Sequence, residues 1–295
     1  MLAAVIPFLR CPHCGEGFVL KDGSLHCPSG HAFDVARQGY VSLISGSGGV
    51  HHGDSAQMVS ARDAFLGAGH LAGLHDAVAT TAEEVVSPDA PPGAIVDVGA
   101  GTGYYLAGVL DRLPRHVGVA LDASTFALRR AARSHVRAAA IGCDVWGRLP
   151  LADACADLIL DIFAPRNGLE FARILHAHGR LIVVTPTPHH LRELVAPLGL
   201  ISVDTQKRRR LESGLSPEFA LVRSTPHEQI LSLNELELTA LVSMGPSARH
   251  LDEAELGRRI VRLLQESASE NPNEGSADAR LSVTASVLIS VYRKN

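Results

Sequence analysis

Apolar residues in this chain come in short solid runs separated by helical stretches, not in the single-step alternation of a half-exposed sheet. Ile95, Val96 and Val98 form the first such run, interrupted by Asp97. Val117–Leu121, Ala138–Gly142, Asp157–Phe163 and Leu181–Val184 repeat the type, as expected of strands covered on both faces. Helical patterns follow them at Leu106 to Leu110, Ser124–Arg133 and Gly168–His176. Strands alternating with helices predict an α/β fold with a mostly parallel sheet. Phe219–Leu233, with a Ser/Thr/Pro interruption at Ser224–Pro226, and Leu281–Tyr292 bring the expected strand count to seven. The last of these reads as antiparallel, at the sheet edge. Further helices are expected at Ala56–Leu66, where Ser55 is a plausible N-cap, and at Leu71–Val85, Asn234–Met244 and Leu251–Glu266. Ser267–Ala277 reads as a polar loop.

Several classes of protein are excluded by the totals. At 295 residues and 46% hydrophobic content the chain supports about two packed domains. No apolar run approaches the ~18 residues of a membrane span, and the apolar stretch in Met1–Arg10 is too short for a secretory signal. A cytoplasmic protein is expected. The net charge of −4 excludes a uniformly basic nucleic-acid binder. Any RNA contact must therefore use charge gathered locally, and Lys207-Arg208-Arg209-Arg210 is the densest positive run. It is a phosphate patch or a solvated helix face; Lys21, Arg37 and Arg62 extend the patch if the N-terminal segment folds over a cleft.

The chemistry begins at Ile95–Tyr105. Gly99, Gly101 and Gly103 stand at alternate positions after the strand and before a helix, which is the nucleotide-binding corner of an open α/β sheet. A dinucleotide fingerprint needs its third glycine at position 104, where Tyr104 stands. Asp97 is an odd residue to bury for packing alone. Asp122 ends the second strand about 20 positions after the glycines, where an acid accepts ribose hydroxyls; its bland reading is a surface helix cap. Asp144 follows the third strand and can accept an adenine amino group, with Val145 or Trp146 covering the ring; otherwise it is a loop aspartate. Asp161 and Phe163 close the fourth strand, at the carboxyl end where open α/β sheets bind ligands. Phe163 can stack on a base, and Asp161 is the nearest obvious proton acceptor.

Three of the five cysteines crowd the N-terminus. Cys11-Pro12-His13-Cys14 and Cys27-Pro28-Ser29-Gly30-His31 are separated by twelve residues. Cys11, Cys14, Cys27 and His31 make a closed tetrahedral set suited to structural zinc, with His13 and His26 as alternative fourth ligands. A segment of about 40 residues buries too little surface to fold alone, and zinc would supply about 10–16 kcal/mol. Phe18, Leu20, Phe33 and Tyr40 are the expected cluster around the metal. Cys143 and Cys155 read as small buried hydrophobes. The organisation expected is a zinc module at 1–45, linker and helices at 46–92, and the main α/β domain at 93–295.

The alternate glycines after an acidic strand resemble motif I of the class I S-adenosylmethionine methyltransferases. The order of motifs makes the resemblance narrower. Cys-x2-Cys…Cys-x3-His, then Gly53-Asp54-Ser55-Ala56…Ala61-Arg62…Phe65-Leu66…Ala68-Gly69-His70, then the turn with two tyrosines, resemble the RlmA-type 23S rRNA (guanine-N1) methyltransferases. Ala164-Pro165 and Thr185-Pro186…Pro188…His190-Leu191 agree. The Ala- and Arg-rich composition resembles the Gram-positive branch that includes the tylosin-resistance enzymes. This implies a Rossmann-like domain holding S-adenosyl-L-methionine, and methylation of a guanine in the helix 35 hairpin at the peptide exit tunnel. It also implies drug resistance, a homodimer, and cofactor contacts from the turn (Asp97, Gly99, Gly101, Thr102, Gly103, Tyr104, Tyr105), Asp122, Asp144 and His190. The position after Gly69-His70, often Tyr in the family, is Leu71 here and offers apolar contact only. Rival readings are a small-molecule methyltransferase, which leaves the zinc knuckles idle, and a non-catalytic RNA-binding module with a vestigial cofactor fold.

Overall fold

The structure, a computed structural model, describes residues 1–44, 53–88, 92–200, 214–215, 217–245, 250, 252–270 and 279–295. The basic run at 207–210 lies outside them.

The runs of apolar residues become the centre of an eight-stranded sheet. Its strands are β4 (Val41–Ser42), β5 (Ala94–Val98), β6 (Val117–Asp122), β7 (Ala138–Gly142), β8 (Ala156–Ile162), β9 (Leu175–Pro186), β10 (Phe219–Leu233) and β11 (Leu281–Lys294), in the order β10-β11-β9-β8-β5-β6-β7-β4. Strands β4 to β9 are parallel, and β11 pairs antiparallel with both β9 and β10. Every residue of β5 and β7 is buried, because helices cover both faces. On one face α3 (Ala72–Val85), α4 (Tyr104–Arg112) and α5 (Thr125–Ser134) pack on Ile95, Ala120, Leu158, Leu160 and Ile182. On the other, α1 (Leu2–Val5) and α6 (Gly168–Ile174) pack on Val96, Val98, Val119, Ile159 and Leu181. A third apolar cluster joins α2 (Ala56–Gly67), α7 (Arg192–Leu198), α8 (Glu235–Ser243) and α9 (Glu253–Glu270) to the ends of β10 and β11, through Phe65, Leu194, Leu238, Ile260 and Val283.

Three expectations need correction. First, the seven expected strands gain an eighth, β4, donated by the N-terminal module. Second, β11 is not the edge strand; β10 is. Pro226 and the charged residues around it suit a strand with one free side, since proline cannot donate to a ladder. The nearly unbroken burial of β11 requires neighbours on both sides. The Ser/Thr/Pro stretch does not interrupt β10, whose register shifts only between Leu221 and Arg223. Third, the polar loop begins later than expected, because Ser267–Glu270 still belong to α9.

The zinc module is built into the main domain. A small antiparallel sheet of β1 (Val19–Lys21), β2 (Ser24–His26) and β3 (Ala32–Asp34) carries the knuckles. The connection 143–155 between β7 and β8 contains no helix. Its place against the sheet is filled by α1 and the turn after it, where Val5 and Leu9 are fully buried beside Leu149 and Leu151. Backbone bonds from Arg10 N to Pro150 O (2.9 Å) and from Ala152 N to Phe8 O (2.8 Å) stitch the two together. Phe18 and Phe33 do pack edge to face, but Leu20 is exposed and Tyr40 joins the α3–α5 side of the core.

Leu9→Ala is therefore expected to destabilise the whole domain, by about 2–4 kcal/mol. Urea unfolding monitored in the sheet checks it: the midpoint should fall with an unchanged slope, in a single transition.

Candidate active site and metal centre

At the end of β5 the chain turns through Gly99, Gly101 and Gly103 with φ of 68°, 55° and 79°. Close packing adds to the backbone requirement. A Cβ on Gly99 would lie 2.7 Å from the Ala164 methyl, and one on Gly103, the residue before α4, would lie 2.5 Å from Ser134 Oγ. The turn is fastened to β6: Ala100 N donates to Leu121 O (2.9 Å) and Gly101 N to Asp122 Oδ2 (2.8 Å). The other carboxylate oxygen of Asp122 accepts from Ser124 N (2.8 Å). Asp122 is thus no helix cap, a role that Ser124 fills for α5. Its remaining lone pairs are free to accept hydroxyls.

Two acids, Asp97 and Asp122, lie at this turn, with Asp161 on the neighbouring strand β8 opposite Val98. Burial pushes the Asp97 carboxyl well above its ordinary range, and the negative charges of Asp122 and Asp161 push it further. Asp122 is also raised by burial, against the pull of its two backbone donors. A cationic ligand against the turn would reverse these penalties. In the first turn of α4, the Tyr105 hydroxyl is buried with no hydrogen-bond partner. A buried acid, an orphaned hydroxyl and a glycine cradle fit a cofactor bearing positive charge and a polar tail. The Tyr104 ring packs at a tilt against His75 with centroids 4.5 Å apart, and Thr102 is buried just before α4. Leu71 sits in the third apolar cluster with Phe65 and Leu66.

The acceptor side is formed by the ends of β8 and β9. Phe163 holds a left-handed backbone (φ 56°), unusual for a bulky residue, and 47% of it is exposed. Its ring lies 6.0 Å from that of His190. The Nδ1 atom of His190 accepts from Ser286 N (3.2 Å), so Nε2 carries the proton; burial lowers its pKa to about 4. Asp144 Oδ1 accepts from Trp146 N (3.0 Å), leaving the indole more than half exposed. Asn167 holds this loop by donating to the carbonyls of Val145, Trp146 and Gly147 (3.0–3.3 Å), a support that the sequence did not suggest. Asp161 has no exposed surface at all. Both oxygens lack hydrogen-bond partners, Arg166 Nε lies 3.4 Å away, and burial raises the carboxyl to about 8. The group nearest in sequence to the acceptor position is therefore sealed from it.

At the N-terminus, the ligand atoms of Cys11, Cys14, Cys27 and His31 all lie within 4.8 Å of one another. Cys14 Sγ is 3.5 Å from Cys27 Sγ, and His31 Nδ1 is 3.6 Å from Cys11 Sγ and 3.3 Å from Cys27 Sγ. A zinc tetrahedron with bonds of about 2.0–2.3 Å has edges of about 3.3–3.8 Å, so the set fits. Two matching knuckles shape it: Gly15 N donates to Cys11 O and Gly30 N to Cys27 O, each glycine with positive φ. His13 stacks on Phe33 instead of joining the cluster. Four protein ligands leave no open position, which marks a structural centre.

Comparison with known proteins agrees with both sites. Residues 9–45 match the zinc-ribbon family described as "RlmA, N-terminal". Over 259 residues the chain is 45% identical to the 23S rRNA (guanine(748)-N(1))-methyltransferase of Streptomyces fradiae, covering 88% of this chain and 92% of that one. It is also 45% identical over 304 residues to a candidate 23S rRNA (guanine-N(1)-)-methyltransferase of Micromonospora griseorubida, covering 98% of each. The chain belongs to the 23S rRNA (guanine-N1) methyltransferase family. Its fold is that of a class I S-adenosylmethionine-dependent methyltransferase with an N-terminal zinc ribbon. No helix among the described residues is long and apolar enough to cross a membrane.

Two outcomes follow. Metal analysis of the purified chain should find about one zinc per chain, and Cys27→Ser should lose it together with part of the sheet's stability, because β4 depends on the module. His190 should stay neutral, with the proton on Nε2, down to about pH 4. Between the unfolded value near 6.5 and that pH the unfolded state binds the extra proton. Stability present above about pH 6.5 is then lost as pH falls. His190→Gln should remove that part of the slope, as measured by urea midpoints across pH.

Proposed function

We propose that this protein transfers a methyl group from S-adenosyl-L-methionine to N1 of a guanine in 23S rRNA, in the hairpin lining the peptide exit tunnel, and that macrolide resistance is the consequence. The observation that carries the reading is the contact between the two halves of the cleft. Ala164 presses on Gly99, so that the exposed Phe163 and the neutral His190 stand directly beside the cofactor turn. Near-full-length relatedness to enzymes named for this reaction supports the substrate.

The bound cofactor supplies an electrophilic methyl group. In this reading Gly99, Gly101, Thr102, Gly103, Tyr104 and Tyr105 hold its amino-acid end with Asp97. Asp122 takes the ribose hydroxyls and Asp144 the adenine, while His190 and Leu71 close the pocket. Guanine N1 is hidden in a base pair, so the base must be looped out, and Phe163 offers it a stacking face. Holding N1 about 3 Å from the methyl, in line, is the main catalytic contribution. The N1 proton leaves to solvent at this open rim, since Asp161 is closed off beneath Arg166. We assign RNA reading to the module at 1–45 together with the cleft, connection to 46–92 and catalysis to 93–295, in a cytoplasmic homodimer.

Purified protein, labelled S-adenosylmethionine and either the hairpin transcript or ribosomes test the reading. Label should appear at guanine N1 by mass mapping, and no label on either RNA would overturn it. Phe163→Ala should lower kcat/KM by about 5- to 100-fold, the equivalent of ~1–3 kcal/mol of lost stacking. Asp161→Asn should stay within about fivefold of the parent.

A further inference from the structure

Arg62 of α2 is read from sequence as one more positive charge for RNA, but the fold gives it a different position. Its guanidinium lies over the cofactor turn, where Nη1 is 3.2 Å from the point a Cβ on Gly101 would occupy. Two contacts fix its plane. Nη1 pairs with Asp54 Oδ2 at 2.7 Å, and Nη2 donates to Met244 O at 2.8 Å. Asp54 is anchored in turn, since its carbonyl accepts from Ser124 Oγ (2.7 Å), and Ser124 N donates to Asp122. The segment before Asp54 is pressed so closely on this loop that a Cβ on Gly53 would lie 2.6 Å from Ser124 N. The arginine is therefore held by the same loop that holds the turn. A quarter of its side-chain surface stays open, and a guanidinium carries five N–H donors in one plane.

A second observation points to a ligand. The Tyr105 hydroxyl, in the first turn of α4 directly after the glycine turn, is buried without a hydrogen-bond partner. A buried hydroxyl without a partner is costly unless a ligand completes it. Around Gly101 the fold thus assembles an oriented cation, an orphaned donor and a buried acid. That set complements an α-amino-acid zwitterion, with the cation and hydroxyl facing a carboxylate and the acid facing an ammonium.

We propose that Arg62, oriented by Asp54, binds the α-carboxylate of the cofactor's methionine moiety with the Tyr105 hydroxyl beside it, while Asp97 faces the α-ammonium. The inference rests on the reading that S-adenosylmethionine is the cofactor, and deepens it by adding a residue that discriminates the amino-acid end.

Calorimetry with two ligands tests it on the full chain. S-adenosylhomocysteine carries the amino-acid end, and 5′-methylthioadenosine lacks it. Arg62→Gln should weaken the first by about 20-fold or more, as expected for a lost charged hydrogen bond, and the second by less than about threefold; Arg62→Lys should fall between. Equal losses for both ligands would mean a merely structural role and overturn the proposal, as would no loss for S-adenosylhomocysteine. The methyl ester of S-adenosylhomocysteine examines the same contact without altering the protein. Binding to the parent chain should weaken about 20-fold, and unchanged binding overturns the proposal even if the variants fail to fold. A parent chain that binds neither adenosine ligand would overturn the cofactor reading itself, a different result from normal binding that ignores Arg62.

Discussion

One half-buried carboxylate ties the cleft together. Asp122 accepts a backbone N–H from the glycine turn with one oxygen and a backbone N–H from the head of α5 with the other. Ser124, in that second loop, reaches on to the segment before α2, and Arg62 carries the connection to the end of α8. Cofactor turn, linker and C-terminal helices therefore share one chain of polar contacts, most of it shielded from water, where such bonds are stronger and breaking one is more costly. Removing Asp122 would leave buried donors unsatisfied as well as removing a ligand-facing group.

The same region carries an excess of negative charge. Asp97, Asp122 and Asp161 are all raised by burial, and Asp97 is raised further by the other two. A sheet core does not gather three acids for packing, since each pays to leave water. A positively charged ligand at the turn offsets that cost, so stability and affinity are coupled: what strains the empty site strengthens the filled one. Asp161 differs from the others in its partner. Arg166 lies against it on the α6 face, away from the turn, so the pair is a feature of the sheet interior.

The zinc ribbon is more than an appendage of the sheet. Parallel strands of one sheet are usually joined through a crossover helix. Here the equivalent connection, 143–155, has none, and Val5 and Leu9 fill the gap. The strand β4 then completes the edge beside β7. The ribbon and the sheet on whose loops Asp122 and Asp144 sit therefore share one packed core.

Much of this was written in local pattern. The buried strands, the Ser55 cap, the glycine turn and the Cys3His set follow from short-range rules: apolar runs need cover, alternate glycines permit a left-handed turn, and thiols at knuckle spacing share a metal. What the sequence alone could not decide was anything that depends on which surfaces meet. The exclusion of Asp161 from the acceptor pocket arises because its strand position points it to the α6 face. The role of Arg62 arises because α2 lies across Gly101, 39 positions further along the chain. The N-terminal module entered the sheet because a helix was missing elsewhere. Pro226, read as an interruption, instead sits within the edge strand β10, and β11, read as the edge, is buried between β10 and β9. Local chemistry determined which ligands this protein is equipped to hold; long-range packing determined which side chains face them.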